Sequence, residues 1–140
     1  MARVAFIGLG VMGYPMAGHL AAAGHDVVVY NRTGERARSW VEQHGNRMAA
    51  TPAEAARDAD AVLTCVGNDA DVVSVLEGPE GALAGMRAGA VLIDHTTASA
   101  DLARELAQQC RAAGLGFVDA PVSGGQKGAE TGQLTVMCGC

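Results

Sequence analysis

Short apolar runs and helix-spaced segments alternate along the whole chain. The strand-like runs are Arg3–Ile7, Asp26–Tyr30, Ala61–Val66, Ala90–Asp94, Gly116–Asp119 and Gln133–Cys138, with a shorter one at Arg47–Ala49. Between them the pattern predicts helices over Tyr14–Ala23, Gly34–Gln43, Pro52–Asp58, Asp69–Leu76 and Ala100–Ala113, and a brief one over Gly81–Met86. Val27-Val28-Val29 and Val91-Leu92-Ile93 are apolar at every position, not at alternate ones. A strand of that kind suits a parallel sheet covered on both faces. Local chemistry marks the helix ends. Thr51-Pro52-Ala53-Glu54 places a capping hydroxyl, a proline at the first helical position and a glutamate at the third. Gly24 and Gly114 stand where glycine stops a helix. Strand–helix alternation with no repeat or linker predicts a single α/β domain over residues 1–140.

The first strand–helix junction carries the strongest chemical signal. Val4-Ala5-Phe6-Ile7 runs straight into Gly8-Leu9-Gly10-Val11-Met12-Gly13, and an alanine-rich helical segment follows. Gly-x-Gly-x-x-Gly in that setting is the turn that a pyrophosphate requires. Gly8 allows a sharp turn, Gly10 lets backbone approach phosphate, and Gly13 lets the helix pack close to the strand. Free N–H groups and the helix dipole then meet the anion. The junction turns the general α/β reading into a Rossmann-like one: a doubly wound, mostly parallel sheet with helices on both faces, binding a dinucleotide.

Composition narrows the picture further. The net charge of −5 leaves no broad basic surface for nucleic acid. No apolar run is long enough for a transmembrane helix, and the glycine-interrupted start reads as a strand and not as a secretory signal. Aromatic residues are only 4%, so the core is built from Val, Leu, Ile, Ala and Met. The cysteines Cys65, Cys110, Cys138 and Cys140 lack Cys-x-x-Cys spacing and nearby histidine partners. Cys65 and Cys110, inside apolar and helix-like runs, predict reduced thiols in a cytoplasmic protein, and the terminal Cys138-Gly139-Cys140 makes a poor metal site.

The second strand ends in Tyr30-Asn31-Arg32-Thr33, with no carboxylate at its tip. An acidic residue there would take the ribose hydroxyls of NAD. An amide, a guanidinium and a hydroxyl can instead donate to a 2′-phosphate, and Arg36 lies one helical turn after Arg32. This tip selects NADP ahead of NAD, at about tenfold or more for each charge-assisted bond.

Three later junctions hold further candidates: Cys65-Val66-Gly67-Asn68-Asp69, Asp94-His95-Thr96-Thr97 and Asp119-Ala120-Pro121-Val122-Ser123-Gly124-Gly125. The last exposes consecutive N–H groups and a hydroxyl, a cradle for a carboxylate. Taken in order with the glycine turn, the Asn31-Arg32-Thr33 tip and the stretch Gly128-Ala129-Glu130-Thr131-Gly132-Gln133-Leu134-Thr135-Val136-Met137, they give the chain a specific likeness. It resembles the β-hydroxyacid dehydrogenases over essentially its whole length. That family includes 3-hydroxyisobutyrate dehydrogenase, tartronate semialdehyde reductase, glyoxylate/succinic semialdehyde reductases and, more distantly, 6-phosphogluconate dehydrogenase.

The resemblance implies roles. Gly8, Leu9, Gly10, Val11, Met12 and Gly13 would hold the pyrophosphate. Asn31, Arg32, Thr33 and Arg36 would meet the 2′-phosphate. Val66 and Gly67 would line the cofactor, and Thr97 would lie near the nicotinamide ribose. Ser123, Gly124 and Gly125 would hold the substrate carboxylate. The implied reaction moves a hydride between NADP(H) and a small 3-hydroxy acid or semialdehyde. The family's catalytic lysine has no counterpart up to Cys140, so no residue here is assigned as catalytic. Lys127 sits in a glycine-rich loop and His95 beside Thr96, and neither matches that lysine. The family's all-helical second domain, which builds a homodimer, also has no counterpart. The expectation is dinucleotide binding without turnover by this chain alone. The alternative is a stand-alone, non-catalytic dinucleotide-binding module or a truncated remnant.

Overall fold

The computed structural model describes residues 2–123, 130 and 135–136. Six strands, β1 (Arg3–Ile7), β2 (Asp26–Tyr30), β3 (Arg47–Met48), β4 (Ala61–Thr64), β5 (Val91–Asp94) and β6 (Gly116–Asp119), form one sheet. All its pairings are parallel, in the order β3-β2-β1-β4-β5-β6. The chain winds outward from β1 in one direction, then returns and winds outward in the other. That is the doubly wound order, and its reversal between β1 and β4 opens a crevice at the carboxyl ends of the strands. Ile7, the last residue of β1, is flanked by Tyr30 of β2 and Thr64 of β4. A separate pair, β7 (Val122–Ser123) and β8 (Thr135–Val136), is antiparallel.

Helices cover both faces, so alternate residues of a strand enter different cores. Phe6, Val27 and Val29 pack with Ala17 of α1 (Gly13–Ala22) and with Ala37 and Trp40 of α2 (Gly34–His44). Ala5, Ile7, Val28, Val62 and Leu92 face the other way. There they meet α3 (Pro52–Ala56), α4 (Asp69–Leu76), α5 (Ala82–Gly85) and α6 (Ala100–Ala112). On α6 the buried residues are Leu102, Leu106 and Cys110, a stripe at four-residue spacing. Trp40, Phe6 and Ile7 are fully buried and supply much of the bulk in a core poor in aromatics.

The predicted caps form. Thr51 Oγ1 accepts the Glu54 N–H at 3.1 Å, and Glu54 reaches back to the Ala50 N–H at 3.2 Å. Some predicted ends are too long. The helix expected to Asp58 stops at Ala56, because Arg57 is extended and Asp58 has a φ of 62°. The strand expected to Val66 stops at Thr64. Cys65 N–H still bonds Ile7 O, but Val66 N–H turns to the Thr96 hydroxyl. Of the strand expected over Gln133–Cys138, β8 comprises Thr135–Val136, and the remainder lies outside the described residues.

Candidate dinucleotide site

A cleft of about 710 Å³ lies over the carboxyl ends of β1, β2 and β4. Its floor is the glycine turn. Gly8 has a φ of 103°, and a Cβ there would stand 2.2 Å from the Cys65 carbonyl oxygen. A Cβ on Gly13 would stand 2.0 Å from the Gly8 carbonyl oxygen. These two glycines therefore let β1, the turn and α1 collapse onto one another. Gly10 is different in kind, since a Cβ there meets no atom within 4 Å. Space over Gly10 is open to a ligand.

No side chain caps α1 at Met12. Among the described residues, no hydrogen bond uses the N–H of Gly10 or Val11. A helix start left bare inside a concave site is suited to an anion. α2 and α5 also start without a side-chain cap, at Thr33 and Gly81, whereas α4 and α6 are capped from within. Asn68 Oδ1 takes the Asp71 N–H at 2.9 Å, and Ser99 Oγ takes the Leu102 N–H at 3.2 Å.

Gly8, Gly10, Val11, Met12, Gly13, Asn31, Arg32, Thr33, Val66 and Gly67 all line this one cleft. Leu9, Arg36 and Thr97 do not. The Leu9 side chain is fully buried in the core beneath α1 and α2, so only its backbone belongs to the turn. Asn31 is occupied by backbone: its Oδ1 accepts the Leu9 N–H at 3.0 Å, and its Nδ2 donates to Thr33 O at 3.1 Å. Arg36, expected beside the 2′-phosphate, instead donates from Nε to Leu9 O at 2.5 Å, with a longer Nη2 contact to Gly10 O at 3.5 Å. Arg32 remains on the cleft wall, its side chain 82% exposed and 3.9 Å from the Asp71 carboxylate.

Thr97 is exposed, and its neighbour Thr96 does the inward work. Thr96 Oγ1 accepts the Val66 N–H at 3.0 Å, and Thr96 N–H donates to Asp94 Oδ1 at 3.0 Å. Thr64 Oγ1 donates to the same Asp94 oxygen at 2.7 Å. The buried carboxylate of Asp94 thus ties together the ends of β4 and β5 and holds the Val66-Gly67 turn. Burial, followed by the Asp94 charge, pushes the Cys65 thiol up to about 11 and raises the Asp119 carboxyl above its ordinary value. His95 is buried, with Nδ1 2.8 Å from Ala120 O, so it anchors the segment leading into β7. Ser123 lies in β7; Gly124 and Gly125 lie outside the described residues.

Sequence reasoning missed the far wall: Pro52, Asp71, Ser74, Val75 and the segment 77–81. Asp71, Ser74 and Val75 follow three- and four-residue spacing along α4, and Gly78 lies just past its end. That spacing was a readable sign of one helix face looking into the crevice. Among the described residues no cluster of His, Cys, Asp or Glu could hold a metal ion. No described helix is long and apolar enough to cross a membrane.

A doubly wound sheet with a glycine turn under an open crevice defines a dinucleotide-binding domain. Residues 3–140 match the family model of the NAD binding domain of 6-phosphogluconate dehydrogenase, and the chain belongs to that family. It is 63% identical over 139 residues to an uncharacterized oxidoreductase of Shewanella frigidimarina, covering 99% of this chain and 48% of that protein. Among solved structures, it is similar to Mycobacterium tuberculosis 3-hydroxyisobutyrate dehydrogenase with L-serine. The TM-score there is 0.91 at 36% identity, over 99% of this chain and 46% of that one. It is also similar to Psf3 in complex with NADP+ and 2-OPP, with a TM-score of 0.89 at 30% identity, over 96% of this chain and 48% of that one. The chain thus spans about half the length of the relatives it matches. These likenesses support the resemblance to β-hydroxyacid dehydrogenases drawn from the motifs.

Proposed function

We propose that this chain is the NADP-binding part of an oxidoreductase of the 3-hydroxyisobutyrate dehydrogenase type. In that activity a hydride moves between NADP(H) and a small 3-hydroxy acid or the corresponding semialdehyde. The observation that carries the cofactor choice is the tip of β2, Tyr30-Asn31-Arg32-Thr33, which brings Arg32 and no acidic residue of its own to the cleft wall. The open face of Gly10 and the uncapped start of α1 fit a diphosphate. When bound, the nicotinamide supplies the hydride.

This chain's own residues bind and orient. The backbone of Gly10–Gly13 takes the diphosphate, and Arg32 and Thr33 take the 2′-phosphate. Val66 and Gly67, fixed by Thr96 and Asp94, form the wall towards the nicotinamide half. The segment Ser123-Gly124-Gly125 is proposed to hold the substrate carboxylate. Its first residue follows β6, whose carboxyl end lies on the same side of the sheet as the cleft. The Mycobacterium tuberculosis enzyme solved with L-serine, a small 3-hydroxy acid, supports this substrate class. Assembly as a homodimer and a cytoplasmic location, where Cys65 and Cys110 stay thiols, belong to the same proposal.

Fluorescence titration with NADPH and NADH tests the cofactor assignment. Wild-type chain is expected to prefer NADPH, and Arg32→Ala is expected to lose about tenfold of that preference. An unchanged NADPH/NADH ratio in Arg32→Ala overturns the role of Arg32. No binding of either nucleotide at near-millimolar concentration overturns the whole assignment.

A further inference from the structure

Arg36 stands in the first turn of α2, yet its guanidinium lies behind the glycine turn and not in the cleft. Nε donates to Leu9 O at 2.5 Å, and Nη2 reaches Gly10 O at 3.5 Å. The Tyr14 ring lies against the guanidinium carbon, 4.4 Å from ring centroid to Cζ. Tyr14 is itself tied to α2 through its hydroxyl, which donates to Gln43 Oε1 at 2.9 Å. On the other side of the same residue, Asn31 Oδ1 holds the Leu9 N–H at 3.0 Å. The Leu9 side chain is sealed in the core. Leu9 is therefore fixed at its N–H, its carbonyl and its side chain.

Peptide geometry turns this hold into an effect on the ligand. The peptide bonds described here are trans. In a planar trans peptide the carbonyl and the next N–H point in opposite directions. A guanidinium that draws the Leu9 and Gly10 carbonyls to the back of the turn aims the Gly10 and Val11 N–H groups at the front, where the cleft opens. A positive group on those oxygens also polarises both peptides, which makes their N–H groups better donors to an anion.

We infer that Arg36 is a positioning residue for the diphosphate, acting through the backbone of the glycine turn and not as a ligand of the 2′-phosphate. The inference rests on a dinucleotide crossing that turn and is independent of the choice between NADP and NAD. Its signature is indifference to the 2′-phosphate. Losing Arg36 weakens NADPH and NADH by the same factor, whereas losing Arg32 changes their ratio.

The test measures both dissociation constants on the full chain for wild type, Arg36→Ala, Arg36→Lys and Arg32→Ala, with a thermal melt for each. Arg36→Ala is expected to weaken both nucleotides about five- to tenfold with the NADPH/NADH ratio unchanged. Arg36→Lys keeps the charge but loses the planar fork that spans two carbonyls. It is expected to weaken both nucleotides equally as well, and it supplies the answer if Arg36→Ala fails to fold. Selective loss of NADPH in Arg36→Ala, or full NADPH affinity in Arg36→Lys, overturns the inference in favour of direct phosphate contact. Unaltered binding of both nucleotides in both variants overturns it also. Binding of neither nucleotide by wild type instead overturns the dinucleotide reading on which the inference stands.

Discussion

Gly13 lies so close beneath Gly8 that a β-carbon at position 13 would stand 2.0 Å from the Gly8 carbonyl oxygen. The obstacle is backbone, so no rotamer change relieves it. Gly13→Ala is expected to push α1 off β1, at about 1–3 kcal/mol or more of stability, and to lose nucleotide binding with it. Gly10→Ala should separate the two effects. Its β-carbon meets nothing within 4 Å, so the melting temperature should hold while NADPH affinity falls. Paired thermal melts and titrations check this. A stable Gly13→Ala that binds normally would contradict the packing argument, and a Gly10→Ala that binds normally would contradict the diphosphate's place.

Arg32 and Asp71 face each other across the cleft wall at 3.9 Å, with Arg32 largely in solvent. An exposed pair of this kind contributes at most about 1 kcal/mol. A 2′-phosphate drawn to Arg32 would also be repelled by Asp71. Asp71→Asn removes that repulsion and keeps the backbone N–H that Asn68 caps. NADPH affinity is expected to rise about two- to fivefold, NADH affinity to stay level, and the gain to shrink as salt screens the charges. Titrations at low and high ionic strength decide. A loss of NADPH affinity would mean that Asp71 steers Arg32 and does not compete with the phosphate.

The fold was legible because hydrophobic period, glycine position and capping chemistry agreed along the chain. The continuous apolar run in β2 announced a strand covered on both faces, and the structure puts Val28 in one core and Val27 and Val29 in the other; in β5 only Leu92 enters a core, while Val91 and Ile93 are half-buried. The site was legible at its turns but not in its side-chain partners. One helical turn between Arg32 and Arg36 suggested a shared ligand. Arg32, however, belongs to the extended tip before α2, while Arg36 sits on the helix over the carbonyls of the glycine turn. Thr96 and Thr97 are interchangeable on paper, because which of two neighbours faces inward depends on how the segment leaves β5. Asn31 offered donors and an acceptor, and the acceptor proved to matter most, since the Leu9 N–H needed one.

Thr64 and Asp94 meet inside the sheet, 2.7 Å from Oγ1 to Oδ1, with Thr64 fully buried and Asp94 3% exposed. Thr64→Val keeps the shape and removes a donor from a buried carboxylate. The expected cost is about 1–3 kcal/mol, read as a lower urea midpoint with unchanged slope. Because Asp94 also holds Thr96, and Thr96 holds Val66, NADPH affinity should fall as well. Wild-type stability in Thr64→Val would show that Asp94 is satisfied without it.

Cys65 lines the cleft with its thiol pushed up to about 11 by burial and then by the Asp94 charge. The thiolate is the reactive form, so alkylation of Cys65 at pH 8 should be slow and should accelerate as pH rises towards 11. Bound NADPH should slow it further by covering the Val66-Gly67 turn. Peptide-resolved mass spectrometry after iodoacetamide treatment separates Cys65 from the other cysteines. Rapid labelling at pH 8 that NADPH leaves unaffected would place Cys65 outside the nucleotide's reach.

Trp40 and His44 stack at 4.9 Å between ring centroids, and Trp40 is the chain's one tryptophan. Burial, followed by the charge of His19, lowers the His44 pKa below the ordinary 6.5. The folded state therefore favours neutral imidazole. Its contribution to stability is complete above pH 6.5 and is lost as pH falls through the lower folded value. Protonated imidazole against an indole quenches its emission. Trp40 fluorescence should thus fall on acidification with a midpoint below 6.5, in step with a loss of stability, and His44→Gln should abolish the titration. Tyr14 lies 6.1 Å from His44 on one side and against Arg36 on the other. Acid displacement of the His44 ring is therefore expected to loosen the Tyr14–Arg36 contact and weaken NADH and NADPH together. A midpoint above 6.5, or a quench that survives His44→Gln, would rule out His44 as its source.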